Sequence, residues 1–441
     1  MSHYRPYPAY KDSGVEWIGP VPEHWSLGRL RDFVRTISTG PFGTALGSDD
    51  YVSNGVPVIN PSHIVESGCV PDATVTVDQD KASQLAFWAM RPGDVVTARR
   101  GELGRAAIIG DQQAGWICGT GSIRITPDAS KIASEYVHAT LQADYARRWL
   151  ELRSVGSTMP NLSEKLIGEL PMAVPPTVQE QQSLLRRSAE EAARIDALIT
   201  KKTRSIELLK EKRHALITHA VTKGLDSKVK MKDSGVEWIG AVPEHWDVVP
   251  STWLFVESNE RAHADDEHLS ATQKYGVIPL SEYERLESRQ VTHAVKNLEQ
   301  RKHVEIDNFV ISMRSFEGGI ERVRARGCVR SSYVVLIAEP RVEIGFYTYL
   351  LKSSTYIQGL QATSSFIRDG QDLSYANFRQ VKLPVPDIAE QREIAAYLDR
   401  TIACIDALAS KTERSISLLN ERRSALITAA VTGQIDIRGA V

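Results

Sequence analysis

The chain has 441 residues, with 53 Lys and Arg against 55 Asp and Glu and a formal net charge of −2. At about 100–200 residues per domain this predicts two to four domains, and 42% apolar, 24% charged and 7% aromatic residues exclude a disordered, collagenous or low-complexity chain. No run approaches about 20 uninterrupted apolar residues, so no transmembrane helix is predicted. Met-Ser-His-Tyr-Arg-Pro-Tyr-Pro at the start has no apolar signal core. Cys69, Cys118, Cys328 and Cys404 lie far apart with no C-x-x-C spacing. That points to a reducing, cytoplasmic setting and away from a disulfide framework or a structural zinc site. Near-neutrality reads at first against a nucleic-acid partner.

Taken in order, the chain is written twice. KDSGVEWIGPVPEHW at 11–25 returns as KDSGVEWIGAVPEHW at 232–246, with 14 of 15 positions identical and Pro20 replaced by Ala241. Residues 195–226 pair with 405–436 at 20 identities in 32. The plan is an anchor (1–25), a variable region (26–177), a long helix (178–231), the repeated anchor (232–246), a second variable region (247–387) and a second long helix (388–441).

The variable regions read as mixed α/β and rich in strands. Residues 94–98 and 106–109 flank the loop Arg99-Arg-Gly-Glu-Leu-Gly-Arg105, a strand–loop–strand. In the second region residues 308–312 lead into Met313-Arg-Ser-Phe-Glu-Gly-Gly319. A shift of 214 superposes Arg100 on Arg314 and Gly104 on Gly318, and a shift of 210 places Cys118 and Ser122 on Cys328 and Ser332. The two regions are therefore expected to share a scaffold and differ in surface loops, as sequence-reading modules do.

The helices follow from period. Ile195, Ile199, Lys202, Ile206, Leu209, Arg213, Leu216 and Ala220 step alternately by four and three, and their copy is Ile405, Ala409, Thr412, Ile416, Leu419, Arg423, Leu426 and Ala430. This is a coiled-coil seam with polar interruptions at matching places; Ile195, Ile206, Leu209, Leu216, Ile405, Ile416, Leu419 and Leu426 are its apolar members. No Gly or Pro falls between Thr177 and Lys223, Pro175-Pro176 and Pro384/Pro386 precede the helices, and Gly224 and Gly433 follow them. Leu198, Leu208, Leu408 and Leu418 form a second apolar row. Period alone leaves open whether this row faces the chain's own core or a separate partner.

Several catalytic readings fail on inspection. An amino-methyltransferase loop of the Asn/Asp-Pro-Pro-Tyr/Phe kind has its nearest match in Asn60-Pro61-Ser62-His63, without the second proline or the aromatic. Gly119-Thr-Gly121 is expected to be a turn in a strand hairpin, not a cofactor loop, and there is no G-x-x-x-x-G-K-[ST]. Gln79 stands where a nuclease would need its second carboxylate, after Pro71-Asp72 and before Lys81. His214/His219 and His263/His268 are five apart and read as surface histidines, their members on different helix faces. The chain is expected to be non-catalytic, with no metal or cofactor of its own.

Divided by segment, the charge changes its meaning. Residues 178–232 carry 13 basic against 7 acidic side chains, each variable region nets −2, and 388–441 balances at 7 against 7. A balanced domain can still carry a basic face. Arg99, Arg100, Arg105 and Arg124 in the first region and Arg314, Arg322, Arg324, Arg326 and Arg330 in the second sit beside glycines, which suits contact with guanine edges or phosphate. Each arginine alone reads equally as solvated surface or as a partner of Glu102, Glu317 or Glu321.

With these motifs in place, the chain resembles the specificity subunit of type I restriction–modification systems, HsdS. The marks are the doubled anchor, the Pro-rich entry plus Glu-Gln before each helix, and the helix ends EKRHALITHAVTKGLD (211–226) and ERRSALITAAVTGQID (421–436). The resemblance covers nearly the whole chain. It implies a mixed α/β fold in which two globular target-recognition domains are separated by two long antiparallel coiled-coil helices, with a pseudo-two-fold internal repeat. It also implies that each domain reads half of a bipartite double-stranded DNA site. Two methyltransferase subunits (HsdM) that bring S-adenosylmethionine would dock, and two motor-nuclease subunits (HsdR) can then join. Candidate DNA contacts are Thr39, Gly40, Gly43, Arg99, Arg100 and Arg105 in the first domain and Arg314, Ser315, Arg322, Arg330 and Ser332 in the second. Two other classes compete: a self-contained DNA adenine methyltransferase, disfavoured by the missing loop and cofactor motif, and a coiled-coil scaffold, which leaves two large variable regions unexplained.

Overall fold

A computed structural model describes residues 6–65, 68–154, 161–288, 290, 300–312, 315–363 and 375–437, without the side chains of residues 316 and 317. The chain forms two compact units. Residues 1–202 with 414–441 make the first, and residues 203–413 make the second. Each unit therefore holds part of both long helices, Val178–Lys223 (46 residues) and Ile388–Val431 (44 residues). At 1.5 Å per residue the first is about 70 Å long. Both stop where expected, at Gly224 and Gly433, whose φ of 74° and 70° suit residues without a Cβ.

Within each unit the helix segments run antiparallel. In the first, the Tyr136 hydroxyl donates to Ala173 O and to Val431 O (2.7 and 2.9 Å), which sets the end of the second helix beside the entry to the first. Further along, Arg423 meets Asp196 at 3.1 Å. In the second unit Gly224 lies against Glu390 at the start of the other helix, and Arg213 meets Asp406 at 3.2 Å. The arginines that interrupt the seam are thus each paired across it, at repeat-equivalent positions. Ile195 and Leu426 are buried in the first unit's core with Leu419 and Ile199 packed on it. Ile405 is buried in the second unit's core with Leu209 and Leu216 on it. Ile206 is also buried and Ile416 half-buried. The second row does not go inside: Leu198, Leu208, Leu408 and Leu418 are 48–57% exposed.

The doubled anchor locks these helix junctions. Trp25 and Trp246 are buried. A methyl group added at Gly433 would strike Pro22 and Trp25, and one at Gly224 would touch Trp246 and approach Pro243. The neighbouring histidines reach the start of the opposing helix, His24 to Glu180 (3.0 Å) and His245 to Glu390 (2.8 Å). One residue on, Gln181 is fully buried; its side chain accepts from Ala133 N and donates to Lys131 O and Pro175 O. Gln391 repeats this with Glu343 N, Arg341 O and Pro386 O. The Glu-Gln signature is therefore a pair of fold fasteners, because a buried amide is retained only when its hydrogen bonds are made.

The variable regions are built alike. In the first unit an antiparallel sheet runs in the order Ala106–Ile108, Val95–Ala98, Ser122–Pro127, Val34–Thr39. In the second the order is Glu321–Arg322, Phe309–Ile311, Val334–Ala338, Phe255–Ser258. Side chains alternate between faces: Val95, Ile123 and Ile125 enter the helix-side core while Val96 enters an outer cluster. Phe309, Ile311, Val334 and Leu336 face one way and Val310 and Val335 the other. A shift of 214 keeps this alternation in the strand, but the following loop gains a residue. Gly319, not Gly318, takes the place of Gly104: both have positive φ (80° and 84°), and a Cβ on either would lie 2.3–2.5 Å from the carbonyl oxygen of Leu351 or Leu141.

Gly119-Thr-Gly121 is a turn, closed by Ser122 N on Gly119 O, but the strands that it joins do not form a hairpin. Ile117–Cys118 pairs in parallel with Val56–Ile59 of a second, outer sheet, whereas Ser122–Pro127 belongs to the inner one, so the glycines form the crossover between layers.

Candidate nucleic-acid interface

In the first unit the crossover draws two candidate loops together. Gly40 N donates to Ser122 O and Arg99 N to Gly121 O. Gly40 is buried, and a Cβ there would lie 2.0 Å from Gly119 O. It serves this close backbone approach and presents nothing to a ligand. Thr39 is held by Glu164 through its N and Oγ1 (2.6 and 2.8 Å) and by the Trp88 indole, which donates to Thr39 O. Gly43 (φ 61°) is exposed with open space where a side chain would be.

Arg99 stacks over the Phe42 ring at 4.7 Å and donates through Nε to Leu162 O. Its guanidinium is pushed below its ordinary pKa, first by burial and then by Arg100, with Glu164 opposing. Arg100 is exposed on the same loop, while Arg105 is half-buried beside Glu102. Arg124 is turned inward, donating to Ala89 O and lying 5.7 Å from the Phe87 ring. Thr39, Gly43, Arg99 and Arg100 thus meet on one face, joined by Phe42 (48% exposed). In the sequence Phe42 already stands inside the candidate loop Thr39-Gly40-Pro41-Phe42-Gly43. An arginine stacked on an exposed aromatic is a platform suited to sugar–phosphate and base contact.

The second unit does not converge in the same way. Arg314 lies outside the described residues. Ser315 is buried, its hydroxyl accepting from Ser312 N, so it closes a turn rather than facing solvent. Arg322 is tied to Asp307 through Nε and Nη2 (2.8 and 2.6 Å). Arg330 and Ser332 are exposed in the turn that Tyr333 N closes onto Arg330 O. Arg324, exposed and outside the proposed contact set, lies instead with Arg322, Tyr349 and Asp399.

A family model described as the type I restriction modification DNA specificity domain matches residues 22–207. Over 439 residues, 96% of each chain, the sequence is 20% identical to the putative type I restriction enzyme MjaX specificity subunit of Methanocaldococcus jannaschii. Residues 22–207 thus match the DNA specificity domain of type I restriction–modification systems. The EcoKI specificity subunit of Escherichia coli K12 is 30% identical over 101 residues, 23% of this chain and 22% of that one. Among solved structures, the HsdS subunit from Thermoanaerobacter tengcongensis superposes with a TM-score of 0.55 at 15% identity, covering 94% and 98% of the two chains. A chain from a structure concerning complex assembly and conformational transition of the type I R-M system reaches 0.67 at 15% identity, covering 96% and 99%. These two likenesses show the HsdS fold. Among the described residues no helix is long and apolar enough to cross a membrane.

Proposed function

We propose that this HsdS chain gives a type I restriction–modification complex its DNA sequence specificity. The regions 26–177 and 247–387 are the two target-recognition domains, each reading one half of a bipartite site. The anchors 1–25 and 232–246 lock the long helices, which run over Val178–Lys223 and Ile388–Val431 rather than the full 178–231 and 388–441 expected from the sequence, and these helices set the unread spacer. The observation that carries this is the shared strand order of the two regions beneath loops that do not match: a common scaffold with different loops is what two unlike half-sites require.

The exposed rows of Leu198, Leu208, Leu408 and Leu418 are the surface for methyltransferase subunits, two copies of which find equivalent sites on a duplicated chain. Methyl transfer from S-adenosylmethionine belongs to those subunits and cleavage to the restriction subunits, with this chain non-catalytic and cytoplasmic. Thr39, Gly43, Arg99, Arg100 and Arg105 are the contact set of the first domain and Arg314, Arg322, Arg330 and Ser332 that of the second, with Phe42 added to the first.

The test is a footprint and a map of methylated adenines for the complex with a few residues inserted at matching places in both long helices. The expected result is a changed spacer with unchanged half-sites. Altered half-sites with the original spacer would sink the reading. The purified chain alone is expected to transfer no methyl group.

A further inference from the structure

His263, dismissed with His268 as a surface pair, has another partner. Its ring stacks on His303 with centroids 4.2 Å apart and planes 15° from parallel. Four carboxylates surround the two rings. Glu260 Oε1 is 3.0 Å from His263 Nε2, Asp266 Oδ2 is 2.8 Å from His303 Nδ1, and Glu305 Oε1 is 3.1 Å from His303 Nε2. Asp265 joins through Arg326, whose guanidinium lies 3.4 Å from Asp265, Glu305 and His263. With neutral imidazoles these groups sum to a charge of −3, and Arg326 is the single cation among them. The His303 and Asp266 side chains are 4% and 1% exposed. Asp266 Oδ1 is buried without a hydrogen-bond partner.

We propose that His263, His303 and Glu260 bind a divalent transition-metal ion, zinc being the best match, with Asp266 orienting His303. Ligand atoms of the three lie within 4.8 Å of one another. Zinc bonds of about 2.0–2.2 Å bring neighbouring ligands to roughly 3.5 Å apart; because an ion lies in the plane of each imidazole that ligates it, the exposed His263 ring has to turn out of its stack on His303 to share the ion, and the exposed Glu260 side chain follows. Imidazole with carboxylate suits zinc rather than calcium or magnesium. A histidine whose other nitrogen is held by a carboxylate is the usual arrangement behind a metal ligand; Asp266 holds His303 Nδ1 that way, and the ion would take the place at Nε2 that Glu305 occupies. The ion would supply the positive charge that the cluster and the orphaned Asp266 oxygen lack. It would also fasten the loop at 259–267 to the strand Lys302–Val304.

The full chain, stripped with a chelator, is titrated with zinc chloride by calorimetry, and cobalt(II) is used to read coordination from its visible absorption. One ion per chain is expected. H263A and E260Q, both at half-exposed positions that the fold tolerates, are each expected to weaken binding roughly tenfold or more and to alter the cobalt spectrum, while H219A leaves both unchanged. No stoichiometric uptake, or uptake undiminished in H263A and E260Q, would overturn the site.

Discussion

The helix junctions of the two units match while their outer layers do not, and the contrast separates what holds the molecule together from what reads. At the junctions Trp25 and Trp246, His24 and His245, Gln181 and Gln391 make matching contacts. Above the inner sheets the units part company. The first adds a four-stranded outer sheet, and the second adds two two-stranded pairs, Leu269–Thr272 with Gly276–Pro279 and Lys302–Val304 with Gly327–Val329. Arginine usage differs too: Arg99 stacks on Phe42, whereas Arg322 is held by Asp307. The junction tolerates little change because its tryptophans are buried and its glutamine amides spend their hydrogen bonds inside the fold.

The contrast can be broken most sharply at the glycines both units share. Gly104→Val and Gly319→Val force a side chain onto a main-chain carbonyl at positive φ, and each is expected to cost about 3 kcal/mol or more, read by chemical denaturation. Equal losses would confirm Gly319 as the true counterpart of Gly104, and a tolerated Gly319→Val would refute it. Next come Gln181→Leu and Gln391→Leu, which strand buried partners and are expected to cost about 2–4 kcal/mol each by the penalty for unsatisfied groups. A large cost at one and none at the other would end the idea of equivalent fasteners.

On the reading side, Arg99→Ala and Phe42→Ala are expected to weaken binding of cognate DNA by the assembled complex by about 1–3 kcal/mol, with the second half-site read as before. Smallest are Arg213→Ala and Arg423→Ala. Their partners Asp406 and Asp196 are about half exposed, so each pair is worth under about 1 kcal/mol, detectable as a small shift in melting temperature that high salt erases.

The seam was legible because helical period repeats every three or four residues, and Ile195, Leu209, Leu216, Ile405 and Leu426 all face inward or half-inward as that period dictates. The doubled anchor was legible as a repeat but not as a clamp, since His24 and Glu180 are 156 residues apart and no local pattern reports such a contact. Loop geometry was the least legible part. Ser315 and Gly40 have the residue types of a binding loop, but one hydroxyl is spent on a turn and the other residue sits beneath a carbonyl. Gly119 was misplaced in a hairpin because two short strands in sequence need not share a sheet. His263 shows the same gap, with its stacking partner 40 residues on rather than five.

The division of the long helices between units has a consequence for how the chain is made. The second unit is one uninterrupted stretch, 203–413, but the first needs 414–441 to return to a partner segment ending at 202. Contacts of such separation are slow to form, and synthesis delivers them last. The second unit can therefore close on the ribosome while Ile195, Ile199 and the Tyr136 hydroxyl still wait for Leu426 and Val431. Through that interval the first unit carries an open apolar seam.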